Sequence, residues 1–219
     1  MASRLDGPRL APASGGQARQ LVVFLHGYGA DGNDLIGLGR EWARVLPNAA
    51  FVSPNAPEAC GMAPTGRQWF NLTMRDPGEI GRGVAQAAPT LNAFLDAELE
   101  RLRLPSRSLA LVGFSQGTML ALAVGLTRNP APAAIVGYSG ALAGVESRLQ
   151  PGNGPAVLLV HGDMDEVIPV DAMMIAREQL AVAGLPVEWH VAPGVGHGID
   201  GEGLRLGGAF LKQAFNFPA

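Results

Sequence analysis

The stretch Ser108-Leu109-Ala110-Leu111-Val112-Gly113-Phe114-Ser115-Gln116-Gly117 decides the fold. Ser108 to Phe114 reads as an apolar strand, of the kind buried on both faces of a parallel sheet. Gln116 to Arg128 follows at once and reads as a helix. The junction Gly113-Phe114-Ser115-Gln116-Gly117 fits G-x-S-x-G in the strand–turn–helix setting of a nucleophile elbow. Side chains two positions either side of the serine would clash in so tight a turn, and glycine removes them. Taken without its setting, the same pattern is also that of a plain βα turn with small residues at its tip.

Working outward, strands and helices alternate on both sides. Leu21 to Leu25 is a continuous apolar run, and Ala49 to Ser53 is a short second strand. Between them Asp31 to Leu46 has Leu35, Leu38, Trp42 and Val45 at helical spacing, with Asp31 or Asn33 as cap and Pro47 as stop. Glu79 to Leu104 reads as a long helix with Val84, Leu91, Leu95, Leu99 and Leu102 on one face, kinked or split at Pro89. Strands are expected at Ala133–Tyr138, Ala156–Val160 and Pro186–Val191, and helices at Asp171–Ala183 and Asp200–Phe217. This alternation predicts an open, mostly parallel α/β sheet with helices on both faces. The expected organisation is a loosely tethered tail over residues 1–20, rich in Pro, Gly, Ser and Ala, and one domain over 21–219. No sequence is left over for a separate lid domain. Pro54 to Gly78 carries four prolines and no periodicity. A loop of that length is usually functional or disordered, and Trp69-Phe70 favours order.

Composition narrows the partners. The 219 residues suit a single α/β domain, and with 47% hydrophobic and 16% charged residues the chain is not of a disordered type. A net charge of −3 without a basic stripe argues against nucleic acid. Cys60 is the single cysteine, so neither an internal disulfide nor a cysteine-based zinc site is expected. Met1 to Gln20 lacks the apolar core of a secretory signal. Met119 to Leu126 is too short to cross a bilayer. The expectation is a cytoplasmic protein without stable membrane insertion.

A serine hydroxyl needs a base within hydrogen-bond reach. Four histidines are available. His26 follows the first strand beside Gly27, His161 ends the Ala156–Val160 strand, and His190 sits within the last strand as a structural residue. His197 lies in Pro193-Gly194-Val195-Gly196-His197-Gly198, at the carboxyl end of a strand, where open α/β sheets carry their sites. It is the preferred base, the alternative being a surface loop histidine. The imidazole in turn needs a carboxylate. Gly162-Asp163-Met164-Asp165-Glu166-Val167-Ile168-Pro169 offers three acids, and the order serine, acid, histidine is that of the α/β-hydrolases.

At this point the chain resembles the bacterial carboxylesterase/phospholipase group of α/β-hydrolases, close to the acyl-protein thioesterases. The resemblance rests on Leu25-His26-Gly27-Tyr28-Gly29, Ser53-Pro54-Asn55-Ala56-Pro57, Trp69-Phe70, the Ser115 elbow, His161-Gly162-Asp163-Met164-Asp165 with Val167-Ile168-Pro169, and Gly196-His197. It implies an α/β-hydrolase fold and a triad of Ser115, Asp165 and His197. Tyr28 stands where a smaller or aliphatic residue is common, and Thr118 where glycine often follows the elbow. Asp163 is read as tying the turn through its own backbone.

Two preset N–H donors are needed for the oxyanion. The Gln116 amide opens a helix, whose dipole favours negative charge, and the glycine turn after His26 can present the Tyr28 amide. Met62, Trp69, Phe70, Leu72 and Met74, with Ile168, are the candidate acyl-pocket residues, although those on the long loop equally suit a satellite cluster that packs it down. Glu98 to Arg107 alternates charges and reads as a solvated face. Met173 and Met174 read as core filler. The leading expectation is a serine hydrolase acting on short- to medium-chain carboxylic esters. The alternatives are a thioesterase or lysophospholipase and, from another class, a catalytically silent binding module. No cofactor or metal is expected. The partner is a small-molecule ester, and a homodimer is compatible with the sequence.

Overall fold

The computed structural model describes residues 5–61, 63–73, 76, 78–145, 149 and 154–216. Strands are β1 (Arg9–Leu10), β2 (Gln20–Leu25), β3 (Ala49–Val52), β4 (Glu58–Ala59), β5 (Arg67–Gln68), β6 (Leu109–Phe114), β7 (Ala134–Tyr138), β8 (Ala156–Gly162) and β9 (Val187–Ala192). Helices are α1 (Gly32–Trp42), α2 (Glu79–Leu102), α3 (Gln116–Thr127), α4 (Asp171–Val182) and α5 (Gly201–Asn216). Seven strands form one sheet in the order β1-β3-β2-β6-β7-β8-β9. Only β1 runs antiparallel to its neighbour. This is the open, mostly parallel sheet that the alternating pattern predicts.

Alternate residues of each central strand enter opposite cores. Leu21, Val23 and Leu25 pack with α2, α3 and α4, while Val22 and Phe24 pack with α1 and α5. Trp42 of α1 lies against Phe24 at 5.6 Å and donates its indole N–H to Leu204 O of α5 at 2.9 Å. Asp31 caps α1, its carboxylate accepting from Asn33 N at 2.7 Å. Met173 is buried in the first core and Met174 packs against it, as expected of filler.

Three expectations are corrected. Residues 5–20 are not a loose tail. Leu5 is buried, Leu10 pairs with Phe51, and Ser53 N donates to Pro8 O at 3.0 Å. Arg19 N donates to Asn48 O at 2.9 Å. Main-chain bonds hold this strap, and these need no side-chain periodicity. Of the kink or split expected at Pro89, the split is corrected: helix α2 runs continuously from Glu79 to Leu102. Its apolar stripe of Val84, Leu91, Leu95 and Leu99 is buried, which offsets the one backbone bond a proline removes. Glu98 is not on a solvated face: it is 5% exposed. Its carboxylate accepts from Arg9 at 2.8 Å and from Arg101 at 2.7 Å, and so ties the strap to α2.

Strand order reverses between β2 and β6, because β2 leads to β3 on one side while β6 to β9 build outward on the other. The carboxyl ends of β2 and β6 therefore flank the crevice where open α/β sheets hold their ligands. The turn after β2 is His26-Gly27-Tyr28, and the turn after β6 holds Ser115.

Candidate active site

Ser115 sits between β6 and α3 with φ 53° and ψ −116°. A non-glycine residue in this region is strained by roughly 1–3 kcal/mol and persists only where its surroundings fix it. The surroundings do so here. Ser115 N donates to Tyr138 O at 2.9 Å, and Ser115 O accepts from Thr118 N at 3.0 Å. The flanking glycines are required by contact. A Cβ on Gly113 would lie 2.4 Å from Thr118 N, and one on Gly117 would lie 1.9 Å from Leu25 O. The sequence expectation of a turn too tight for side chains on either side holds.

His197 lies on the loop after β9. Its Nδ1 is 2.8 Å from Asp165 Oδ2, and its ring lies 4.9 Å from that of Phe114, the residue before Ser115. The imidazole thus stands beside the elbow with its Nδ1 committed to a carboxylate. Asp165 is buried on the loop after β8. Its Oδ1 accepts from Val167 N and Ile168 N, both at 2.9 Å. Burial opposes ionisation of Asp165, but the hydrogen bonds from Ile168, His197 and Val167 outweigh it and hold the carboxyl below its ordinary range. The carboxylate is therefore charged at neutral pH. Of the other two acids, Glu166 is exposed. Asp163 accepts from Gly194 N at 2.6 Å, so it fastens the histidine loop rather than its own turn.

The other histidines are occupied differently. His26 Nδ1 lies 2.8 Å from Gly27 O, and its Nε2 accepts from Ala56 N at 3.0 Å. This pattern requires the neutral ring with its proton on Nδ1. Burial pushes His26 below its ordinary value, consistent with that form. His161 was legible in the sequence only as the end of a strand. In the fold its Nε2 lies 2.8 Å from Ile168 O and 3.2 Å from Asp165 Oδ2, a second imidazole against the same carboxylate. The spacing of four residues across a strand-end turn was the available signal. His190 is half-buried on strand β9 at the sheet edge.

The Gln116 amide is in the first turn of α3, where N–H groups have no intrahelical acceptor. The second predicted donor turn is close by: a Cβ on Gly27 would lie 3.5 Å from Ser115 Cβ. Beyond it, the neighbouring Cys60 thiol and burial raise the Tyr28 phenol above its ordinary range.

The acyl-pocket expectations fare differently. Trp69 and Phe70 are 3% and 2% exposed and belong to the core, so they pack the loop down. Leu72 and Ile168 are partly buried against that core. Met62 and Met74 lie outside the described residues. The Pro54–Gly78 loop is ordered in part by the small β4–β5 hairpin and by Arg67, which donates to Ala56 O and Pro57 O, both at 2.7 Å. Sequence reasoning missed the Gln116 side chain, which binds the main chain of Trp69 and Phe70. No periodicity or spacing signals such a contact. Among the described residues, no group of three or more His, Cys, Asp or Glu side chains is placed to hold a metal, and no helix is long and apolar enough to cross a membrane.

Acyl-protein thioesterase 1 of Gibberella zeae is 27% identical to this chain, over 97% of each. Esterase YpfH of Escherichia coli is 26% identical, over 86% of this chain and 80% of its own. The crystal structure of esterase PE8 superposes with a TM-score of 0.90 at 40% identity, covering 97% of this chain and all of the other. The phospholipase/carboxylesterase family model matches residues 11–214. The chain therefore belongs to the phospholipase/carboxylesterase family of α/β-hydrolases.

Proposed function

We propose that this chain is a carboxylesterase that hydrolyses short- to medium-chain esters through an acyl-enzyme on Ser115. The observation that carries the reading is the strained Ser115 elbow beside an imidazole bound through Nδ1 to a buried carboxylate. Asp165 holds His197 in the tautomer whose Nε2 is the free base. His197 takes the Ser115 proton as Oγ adds to the ester carbonyl. The Gln116 and Tyr28 amides receive the oxyanion. Collapse of the tetrahedral adduct breaks the C–O bond, and His197 returns the proton to the leaving alcohol. Water then adds to the acyl-enzyme with the same base, releasing the carboxylic acid and restoring Ser115.

The length preference follows from the loop. Trp69 and Phe70 are turned into the core, so neither is offered as the wall of a deep acyl sleeve. Each buried methylene contributes about 0.8 kcal/mol only while the pocket still covers it. A second reading, thioester hydrolysis, is supported by the likeness to acyl-protein thioesterase 1 over nearly the whole chain. The same nucleophile and oxyanion donors serve both bonds.

Oxygen esters and matched thioesters of two to sixteen acyl carbons separate these readings. The proposal expects kcat/KM for oxygen esters to peak at short to medium length. It also expects Ser115→Ala to lose roughly 10³–10⁶-fold in kcat. A steady rise to the longest chain overturns the length assignment. A higher kcat/KM on thioesters at every length favours the second reading.

A further inference from the structure

Three buried side chains link the two turns to which the oxyanion donors are assigned. The Gln116 carboxamide reads the main chain of the long loop at two points: its Oε1 accepts from Trp69 N at 2.9 Å, and its Nε2 donates to Phe70 O at 2.8 Å. The Trp69 indole N–H then donates to His26 O at 2.9 Å. His26 is two residues before Tyr28, and its imidazole lies against the Trp69 ring at 5.4 Å. Its own nitrogens are engaged with Gly27 O and Ala56 N. The chain of contacts therefore runs from the residue that supplies one donor, through Trp69, to the turn that supplies the other. All of it is shielded from water, where hydrogen bonds are held in one geometry and a lost partner is not replaced by solvent.

We infer that Trp69 and the Gln116 side chain act as a strut that sets the spacing between the Gln116 and Tyr28 amides. They are positioning residues and touch no reacting atom. The inference rests on the assignment of those two amides as oxyanion donors. An oxyanion hole stabilises charge only when both donors lie within about 2.7–3.1 Å of the place where the oxygen develops. The pairing of β2 with β6 brings the two turns side by side, with Leu25 opposite Gly113, and the strut fixes their spacing beyond the last paired residues. The strut also accounts for a loop tryptophan whose N–H is spent on a main-chain carbonyl and for a glutamine turned away from solvent at the elbow.

Trp69→Phe removes the N–H and keeps an aromatic ring. Gln116→Met removes the amide clamp and keeps the backbone N–H. Each is measured on a chromogenic short-chain ester for kcat and KM. Each is also measured for the inhibition constant of an alkyl trifluoromethyl ketone, which forms a tetrahedral oxyanion on serine. The expected result is a fall in kcat of about 10–100-fold, below the loss from deleting a donor outright. KM changes little, and the ketone binds more weakly by a similar factor. The double variant should lose less than the product of the two single losses, because both cut one strut. Unchanged kcat and ketone affinity overturn the inference. A raised KM with unchanged ketone affinity also overturns it and returns Trp69 to a substrate-lining role. If Trp69→Phe fails to fold, Gln116→Met carries the same test. Ester turnover that survives Ser115→Ala would instead overturn the proposed function, so the two failures are distinguishable.

Discussion

Replacing Asp165 by asparagine changes one atom, and the surroundings dictate which way the new amide faces. Oδ1 accepts from two main-chain donors, Val167 N and Ile168 N, both at 2.9 Å. An asparagine that turned its NH2 toward them would set donor against donor twice, at about 1–3 kcal/mol for each buried group left unsatisfied. Its carbonyl oxygen must therefore take the Oδ1 position, which leaves NH2 where Oδ2 stood. That site faces His197 Nδ1 at 2.8 Å. The NH2 donates, so Nδ1 must accept, and the ring proton moves to Nε2. The base is then blocked on the side where it must receive the serine proton. The equivalent change in a serine protease lowers kcat about 10⁴-fold, which is about 5 kcal/mol of barrier at 1.36 kcal/mol per decade. The expected phenotype is a loss of that order in kcat with little change in KM. Asp163→Asn is the control. Its carboxylate accepts a single N–H, from Gly194, and the asparagine carbonyl can accept it too. Turnover of a chromogenic ester by both variants decides the matter. If Asp165→Asn keeps more than about a tenth of wild-type kcat while Asp163→Asn abolishes it, the tautomer argument is wrong.

Further outcomes follow from the packing. Gly117→Ala places a Cβ 1.9 Å from Leu25 O, a main-chain atom that cannot step aside, so it should cost about 3 kcal/mol or more, read by chemical denaturation. Gly37→Ala, within α1 and with nothing near its added Cβ, should instead raise stability by about 0.5–1 kcal/mol. Glu98→Gln should destabilise by about 1–3 kcal/mol at neutral pH, because it weakens the contacts of a buried carboxylate to Arg9 and Arg101. Burial opposes ionisation of Glu98, but the two arginines outweigh it and lower its pKa from 4.5. A lowered folded value gives stability that is full above the unfolded value and lost as pH falls through the folded one. The gap between wild type and Glu98→Gln in denaturant midpoint should therefore shrink below about pH 4.5.

The sheet was legible because its inner strands are buried on both faces, and a short apolar run such as Leu21–Leu25, alternating along the chain with helical patterns, fits that setting. The elbow was legible because its glycines answer to contacts that any such turn must make. The histidine followed from strand-end position, which left three acids open, and the choice of Asp165 came from the family resemblance. What stayed hidden depends on main-chain partners or on residues far apart in sequence. The strap over residues 5–20 is held by backbone pairing to β3, which leaves no pattern in Pro, Gly and Ser. Glu98 looks like any other helix charge until Arg9, 89 residues away, reaches it. Trp69 and Phe70 are apolar enough for either a pocket or a core, and only packing decides. The second imidazole on Asp165 depends on how tightly the chain turns after β8.

The most direct test of the account is where a fluorophosphonate attaches. Wild-type protein treated with the probe should gain the mass of one phosphonyl group, and peptide mapping should place that group on Ser115. Ser115→Ala should take up none under the same conditions, and His197→Ala should label far more slowly than wild type. An adduct on any other residue, or equal labelling of Ser115→Ala, would contradict the assignment of Ser115 as the nucleophile.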